Sequence, residues 1–306
     1  IEADFEPEVI ITVPAYFGEI QREATRCAGF AAGLHVRDVI NEPTAAACAY
    51  SKLDGSQARI LVFDLGGGTF DVTLLMVDRG SVDVVTSTGD SALGGKDWDE
   101  VILDYLWAMY RARFGSGADD DHEFSFYLRQ KAIDAKIYLS EAESVLVDVT
   151  GPIGELSIVL QRSRADSFEL EDDGFYFEER SSALLHRCMQ LCGDVLRRSP
   201  LESRGGVMRS MTWADIDDIV LVGGSCRMPM VSEHLERISR RKVRRAVRGL
   251  NLDTAVAVGA AIRVHDPRLV RDVLTHSLGI RVIDARGRER VELIVAKDSS
   301  LPEIVT

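Results

Sequence analysis

Apolar runs separated by short polar or glycine-rich breaks divide this chain, and the period of each run predicts its element. Val9 to Val13 (VIITV) is continuously apolar over the length of a buried strand and is closed by Pro14. GEIQREATRCAGFAAG follows, with Ile20, Ala24, Cys27, Phe30 and Ala31 at helical spacing and Gly33 placed as a C-cap. Val36 to Ile40 reads as a short strand, and Glu42-Pro43 opens the alanine-rich helix PTAAACAY with proline in its first turn. Leu53-Asp54-Gly55-Ser56 is a turn-rich break that predicts a domain boundary.

The next stretch, Ile60 to Val77 (ILVFDLGGGTFDVTLLMV), consists of two strand-forming runs around a three-glycine turn. Ser81 to Thr88 alternates like a third, antiparallel strand, so the three strands form a meander. GDSALGGKD then leads into an amphipathic helix from Trp98 to Phe114. Residues 118 to 200 read as mostly helical, interrupted by strand-like runs at Val145 to Val149 and Leu156 to Leu160. Within them the helix Arg129 to Glu141 brings Ile133, Lys136, Ile137 and Ser140 to roughly one face. In DIVLVGGSCRMP an apolar strand ends at Gly223-Gly224-Ser225 and passes directly into a helix. Asp253 to His265 is a small-residue helix N-capped by 251–253, and Ser277 to Asp284 and Val291 to Val295 are two further strands joined by the charged turn ARGRER.

Composition narrows the class. The chain has 306 residues, 46% of them apolar, enough for about two domains with a sizeable core. The longest weakly polar run, Ala255 to Ile262, is too short to cross a bilayer, and the acidic start IEADFEPE is neither a signal nor a transit peptide; a cytoplasmic location is expected, with no membrane partner. A first residue that is Ile rather than Met suggests a segment of a longer polypeptide. The net charge of -13 argues against nucleic acid as a partner. Arg237 to Arg248 holds seven basic residues but no aromatic residue for stacking, and reads as a solvated helix end. The five cysteines (Cys27, Cys48, Cys188, Cys192, Cys226) form no C-x-x-C pair and read as buried free thiols.

Three places carry candidate chemistry. At the triple glycine, the lack of Cβ lets several backbone N–H groups approach an anion, and Asp64 and Asp71 stand on either side of the turn. Carboxylates beside a polyphosphate require a cation between them, and Mg²⁺ with its waters suits. Gly94-Gly95 at a helix N-terminus can hold a phosphate through N–H groups and the helix dipole. It is not a P-loop, because Asp97 stands where that motif carries its metal-binding hydroxyl. Gly223 and Gly224 at the carboxyl end of a strand permit close approach of a flat ring or ribose, with Arg227 positioned to stack on a base.

VPAYF, INEPTAAA, FDLGGGTFDV, LGGKDWD, IVLVGGSCRMP and DTAVAVGAA occur in the order and spacing of the seventy-kilodalton heat-shock chaperones, and the chain resembles that family, the DnaK type, over nearly its whole length. The resemblance implies an α/β fold of the actin-like ATPase kind, with ribonuclease H-like lobes. On that resemblance the fold is expected to be N-terminally truncated and to carry a short β segment at the C-terminus. The implied division is a remainder of lobe I (1–53, with helix 250–265), lobe II (54–249, including a peripheral subdomain at about 96–172), a linker (266–276) and the start of a β-rich peptide-binding domain (277–306). Implied ligands are ATP or ADP with Mg²⁺. Gly66, Gly67, Gly68 and Thr69 would hold the β- and γ-phosphates. Asp64 and Asp71 would order waters on Mg²⁺ and the attacking water, assisted by Glu42, so that Asp64, Asp71, Glu42 and Thr69 form the catalytic set. Gly94 and Gly95 would touch the phosphates from the other side, and Lys136, Ser140, Gly223, Gly224, Ser225, Arg227 and Asp253 would surround adenosine. Pro14 and Arg22 match positions that relay nucleotide state to the peptide-binding domain.

Implied partners are unfolded polypeptides, with a J-domain co-chaperone and a nucleotide-exchange factor. Three departures qualify the match. The family's N-terminal phosphate hairpin and catalytic lysine would precede residue 1, so this chain is expected to hydrolyse ATP poorly. Ile133 and Ile137 replace a typical Glu and Arg of the adenine pocket, which predicts weak nucleotide affinity. Asp38 stands where a basic residue usually meets the linker and the J-domain partner, and VRDVLTHSLGI lacks the leucine-rich linker. Other readings of the same hairpins are an actin-like sugar kinase and a non-catalytic actin-like protein.

Overall fold

In the computed structural model the described residues are 8–15, 17–51, 57–78, 81–164, 174–202, 208–244, 254–265, 270–271, 278–283 and 288–295. The chain opens with β1 (Glu8–Val13), α1 (Glu19–Ala31), β2 (His35–Asn41) and α2 (Glu42–Ser51), and β1 and β2 pair in parallel across the α1 crossover. The predicted break at 53–56 lies outside the described residues. The meander is formed by β3 (Ala58–Leu65), β4 (Phe70–Asp78) and β5 (Ser81–Asp90), all antiparallel. α3 (Gly95–Phe114) starts three residues earlier than predicted, because the glycine pair itself forms the helix start. α4 (His122–Leu139) is N-capped by Asp121, whose carboxylate accepts from Phe124 N at 2.9 Å. β6 (Ser144–Thr150) and β7 (Glu155–Gln161) form an antiparallel hairpin.

Beyond it come α5 (Phe177–Arg180), α6 (Ser182–Arg198), the short hairpin of β8 (Pro200–Glu202) and β9 (Met208–Ser210), β10 (Asp218–Val222), α7 (Pro229–Ser239), β11 (Val243–Arg244) and α8 (Ala255–His265). The basic residues from Arg237 to Arg244 are exposed, as expected of a solvated helix end. β12 (Val270–Arg271) lies within the predicted linker, yet it pairs in parallel with Val82–Asp83 at the sheet edge. β13 (Leu278–Ile283) and β14 (Glu289–Val295) form an antiparallel ribbon that takes in Glu289 and Arg290 of the expected turn.

A six-stranded sheet in the order β11-β10-β3-β4-β5-β12 organises the molecule. Its central strands are buried on both faces, which is why they read as unbroken apolar runs rather than alternating ones. Side-chain parity assigns the faces. Leu61, Phe63, Leu65, Phe70, Val72, Leu74, Ile219 and Leu221 point to a core built with α3, α4 and α6, around Trp98, Leu106, Leu128 and Cys192. Ile60, Val62, Leu75, Val77, Val220 and Val222 point to the opposite face, covered by Ala46, Ala47 and Cys48 of α2 and Ala255 of α8. The same parity turns Asp64 and Asp71 toward the α2 side.

Two expectations of burial fail. Cys48, Cys188, Cys192 and Cys226 are buried free thiols, but Cys27 is exposed, with its Sγ toward Glu23 Oε1. The apolar positions of α1 likewise face outward: Ile20 is 86% and Phe30 51% exposed. The cause is Gly29, the one buried residue of α1, where a Cβ would lie 2.5 Å from Val36 and 2.7 Å from Ile11; this close approach fixes which side of the helix meets the sheet. Among the described residues no helix is long and apolar enough to cross a membrane.

Candidate functional site

Asp64 and Asp71 are direct cross-strand partners at the turn end of the β3–β4 hairpin, and both are buried. Glu42, the first residue of α2, lies close enough to act on both. Burial, then the Glu42 charge, pushes the Asp64 carboxyl up to about 7. Burial, then Asp64 and Glu42, pushes Asp71 to about 8, partly offset by a hydrogen bond from the Ala15 backbone. Burial raises Glu42 as well. Asp71 Oδ1 is fully buried with no hydrogen-bond partner among the described residues, a cost of about 1–3 kcal/mol for a polar atom left unsatisfied. Three acids in a dry site with an orphaned oxygen suit a cation. Among the described residues no three Asp, Glu, His or Cys side chains are arranged to hold a metal ion directly.

The turn beyond these acids is open. Gly67 is exposed, while Gly66, Gly68 and Thr69 are half-buried. Gly66 N donates to Thr69 O at 3.0 Å and closes the bend, whereas the N–H groups of Gly67 and Gly68 have no main-chain acceptor among the described residues. The start of α3 is stitched onto the outside of this bend: Gly95 N donates to Gly66 O at 2.9 Å and Lys96 N to Gly67 O at 2.8 Å. Gly94 packs so closely that a Cβ would lie 2.4 Å from the Gly68 carbonyl carbon. The N–H groups of Gly94 and Gly95, expected to touch phosphate, are thereby engaged within the protein. Gly94 N is taken by the Asp97 carboxylate at 2.7 Å and Gly95 N by Gly66, so the pair shapes the bend from behind.

After β10 the chain does not pass directly into an α-helix. Gly224–Arg227 forms a 3-10 turn, and Pro229 begins α7. Gly223 allows this with φ +88°, and a Cβ there would lie 2.4 Å from Leu65 O and 2.9 Å from Asp64 Oδ1. Gly223→Ala is therefore expected to destabilise the protein by about 2–3 kcal/mol, through left-handed strain plus the clash. A urea midpoint equal to that of the unmodified chain would contradict this geometry. Ser225 is buried, and its hydroxyl donates to Gly66 O at 2.9 Å, so it meets the bend. Arg227 is exposed beside Gly224.

Lys136 is drawn into the same cluster. Its Nζ lies 2.7 Å from Asp99 Oδ1 and donates to Gly95 O at 3.0 Å. Ser140 ends α4, with its hydroxyl on Lys136 O at 3.0 Å. On that helix Ile133 is half-buried and Ile137 is 57% exposed. Asp253 lies outside the described residues. Pro14 and Arg22 meet through one residue: Phe17 N donates to Pro14 O at 3.0 Å and Arg22 Nε to Phe17 O at 3.1 Å, while Arg22 Nη2 reaches Asn41 Oδ1, next to Glu42. Sequence reading missed Ala15, Asn41 and Asp99. Asp99 looked like any first-turn helix acid, and only its helical offset from Gly95 hinted that it could face inward.

The Hsp70 protein family model matches residues 6–302. The chain is 39% identical to the chaperone protein DnaK of Prochlorococcus marinus (strain MIT 9515) over 287 residues, 90% of this chain and 42% of that protein. It is 35% identical to the chaperone protein HscA of Enterobacter sp. (strain 638) over 310 residues, 99% of this chain and 44% of that protein. To HscA of Yersinia pseudotuberculosis it is 36% identical over 302 residues, 96% of this chain and 41% of that protein. The chain thus spans less than half the length of these relatives. Its mixed α/β architecture, a strand pair with helices and a six-stranded sheet with helices on both faces, is that of the actin-like ATPase domain. By sequence and by fold the chain belongs to the Hsp70 chaperone family.

Proposed function

We propose that this chain is the nucleotide-binding part of an ATP-dependent chaperone of the DnaK type, which takes up Mg-ATP and uses hydrolysis to control binding and release of unfolded polypeptide. The observation that carries this reading is the orphaned Asp71 Oδ1, set with Asp64 and Glu42 beneath an open bend of glycine N–H groups. Gly67 and Gly68 would donate to phosphate oxygens, and Gly66 and Thr69 would hold the bend in shape. Asp64 and Asp71 would hold Mg²⁺ through its waters, and Glu42 would share the proton balance of the site. Mg²⁺ would supply charge neutralisation at the phosphates. Phosphoryl transfer asks little covalent chemistry of a protein, so positioning and electrostatics by these residues would be the main contribution. Gly223, Gly224, Arg227, Ser140 and Asp253 remain assigned to adenosine. Pro14 and Arg22, joined through Phe17, would relay the state of the site, and Asp38 marks the surface where a J-domain partner would be felt.

Calorimetry tests this directly. Mg-ADP is expected to bind with a Kd weaker than about 10 μM, because Ile133 and Ile137 offer the base no hydrogen bond or cation–π contact. Binding should require Mg²⁺ and be lost in Asp64→Asn. Heat of ADP binding that is indifferent to Mg²⁺ and to Asp64→Asn would overturn the proposal.

A further inference from the structure

Asp99 is unassigned so far, although it is only 8% exposed. Its pair with Lys136 is nearly dry, with side-chain exposures of 11% and 13%. The neighbouring acid Glu100 is occupied by Arg129, so it does not compete for the lysine. From Lys136 the contacts run to Gly95 O, then from Gly95 N to Gly66 O, which also accepts the Ser225 hydroxyl. The Gly66 carbonyl therefore receives one donor from the start of α3 and one from the 3-10 turn. Gly95 is closely covered by the same two side chains: a Cβ there would lie 2.2 Å from Ser225 Oγ and 3.2 Å from Lys136 Nζ. An ammonium neutralised by a buried carboxylate and aimed at a carbonyl has little charge left for a ligand. Its placement suits holding the loop.

We propose that Asp99 is a positioning residue which, with Lys136 and Ser225, braces the Gly66–Gly68 bend, so that all three act on the phosphate end of a bound nucleotide. This rests on the reading of the bend as a phosphate cradle, and it gives Lys136 and Ser225 a different role from the adenosine contacts implied by family resemblance. The brace fixes the bend with Gly67 and Gly68 N–H outward, and loosening it spreads those donors over several orientations.

The test separates the two ends of the ligand. Binding of Mg-pyrophosphate and of Mg-ADP to the full chain is measured by calorimetry, or by phosphorus NMR where affinity is low, for the unmodified protein, Asp99→Asn and Ser225→Ala. Both variants are expected to weaken both ligands by the same factor, about tenfold, the loss of roughly one hydrogen bond's worth of bracing. A loss confined to Mg-ADP, with Mg-pyrophosphate unmoved, would place these residues on the nucleoside and overturn the inference. So would unchanged affinity for both. If the unmodified chain binds neither ligand, the phosphate-cradle reading itself fails and takes this inference with it. Thermal melts check folding, and Ser225→Ala, which removes a single hydroxyl, carries the comparison if Asp99→Asn unfolds.

Discussion

Gly259→Ala is expected to be the most damaging single-methyl change in this chain. A Cβ on Gly259 would lie 1.6 Å from Ala45 O and 2.4 Å from its carbonyl carbon, so α8 can pack on α2 only because that position is bare. In an isolated helix the same substitution would stabilise by about 1 kcal/mol. Here the steric term wins, because neither helix can retreat. Ala45, Ala46, Ala47 and Cys48 are all fully buried against the sheets. Ala45 packs with Ile40 and Ala260, while Ala46, Ala47 and Cys48 pack with Val62 and Val220 of the large sheet. Overpacking of this severity should cost about 3 kcal/mol or more. For a unit of this size that lowers Tm by roughly 10 °C. Val258→Ala, next door and 37% exposed, should change stability by less than about 0.5 kcal/mol. Equal melting temperatures for Gly259→Ala and the unmodified protein would mean that the two helices do not cross this closely.

The second large effect concerns Asp71→Asn, and its sign depends on the ligand. In the ligand-free protein the folded carboxyls of Asp64 and Asp71 hold protons up to about 7 and about 8, while the unfolded chain releases them near 3.8. Between those limits the folded state binds more protons than the unfolded one, so stability falls as pH rises from about 4 to about 8 and then levels off. Removing one acid removes that penalty. Asp71→Asn should therefore raise the ligand-free Tm at pH 8 by on the order of 5 °C, with the gain shrinking toward zero near pH 4. With saturating Mg-ADP the order reverses, since the amide lacks the carboxylate charge and one of the two oxygens that the cation's waters would use. The unmodified protein should also release protons on binding Mg-ADP at pH 7, and its affinity should rise with pH to about 8. Melts across pH, and calorimetry in buffers of different ionisation heat, measure both. A ligand-free gain that is flat with pH would sink this account.

Much of the architecture was legible because apolar runs and glycine breaks carry it directly. The β3–β4–β5 meander, the β10 strand and the α2 and α8 helices follow from run length and small-residue content. Asp64 and Asp71 were identifiable as a pair because two strands flanking one bend must bring their inner residues together. What escaped sequence reading depended on contacts between distant segments. No local pattern reveals that Gly94 N–H and Gly95 N–H are already engaged, that Ser225 reaches 159 residues back to Gly66, or that Asp99 is buried under Lys136. The outward stripe of α1 was misjudged for a related reason. Periodicity finds an apolar face, but the backbone approach at Gly29 decides which face docks. Backbone strain at Gly223 was equally hidden, since a glycine at a strand end has many possible uses.

The short pairing of Val270–Arg271 with the edge of the large sheet sets a limit on where the terminal ribbon can begin. With Arg271 fixed at the sheet edge, Leu278 can lie no farther from it than roughly 25 Å. Two residues of strand are thus enough to keep the start of the terminal ribbon within a short reach of the large sheet.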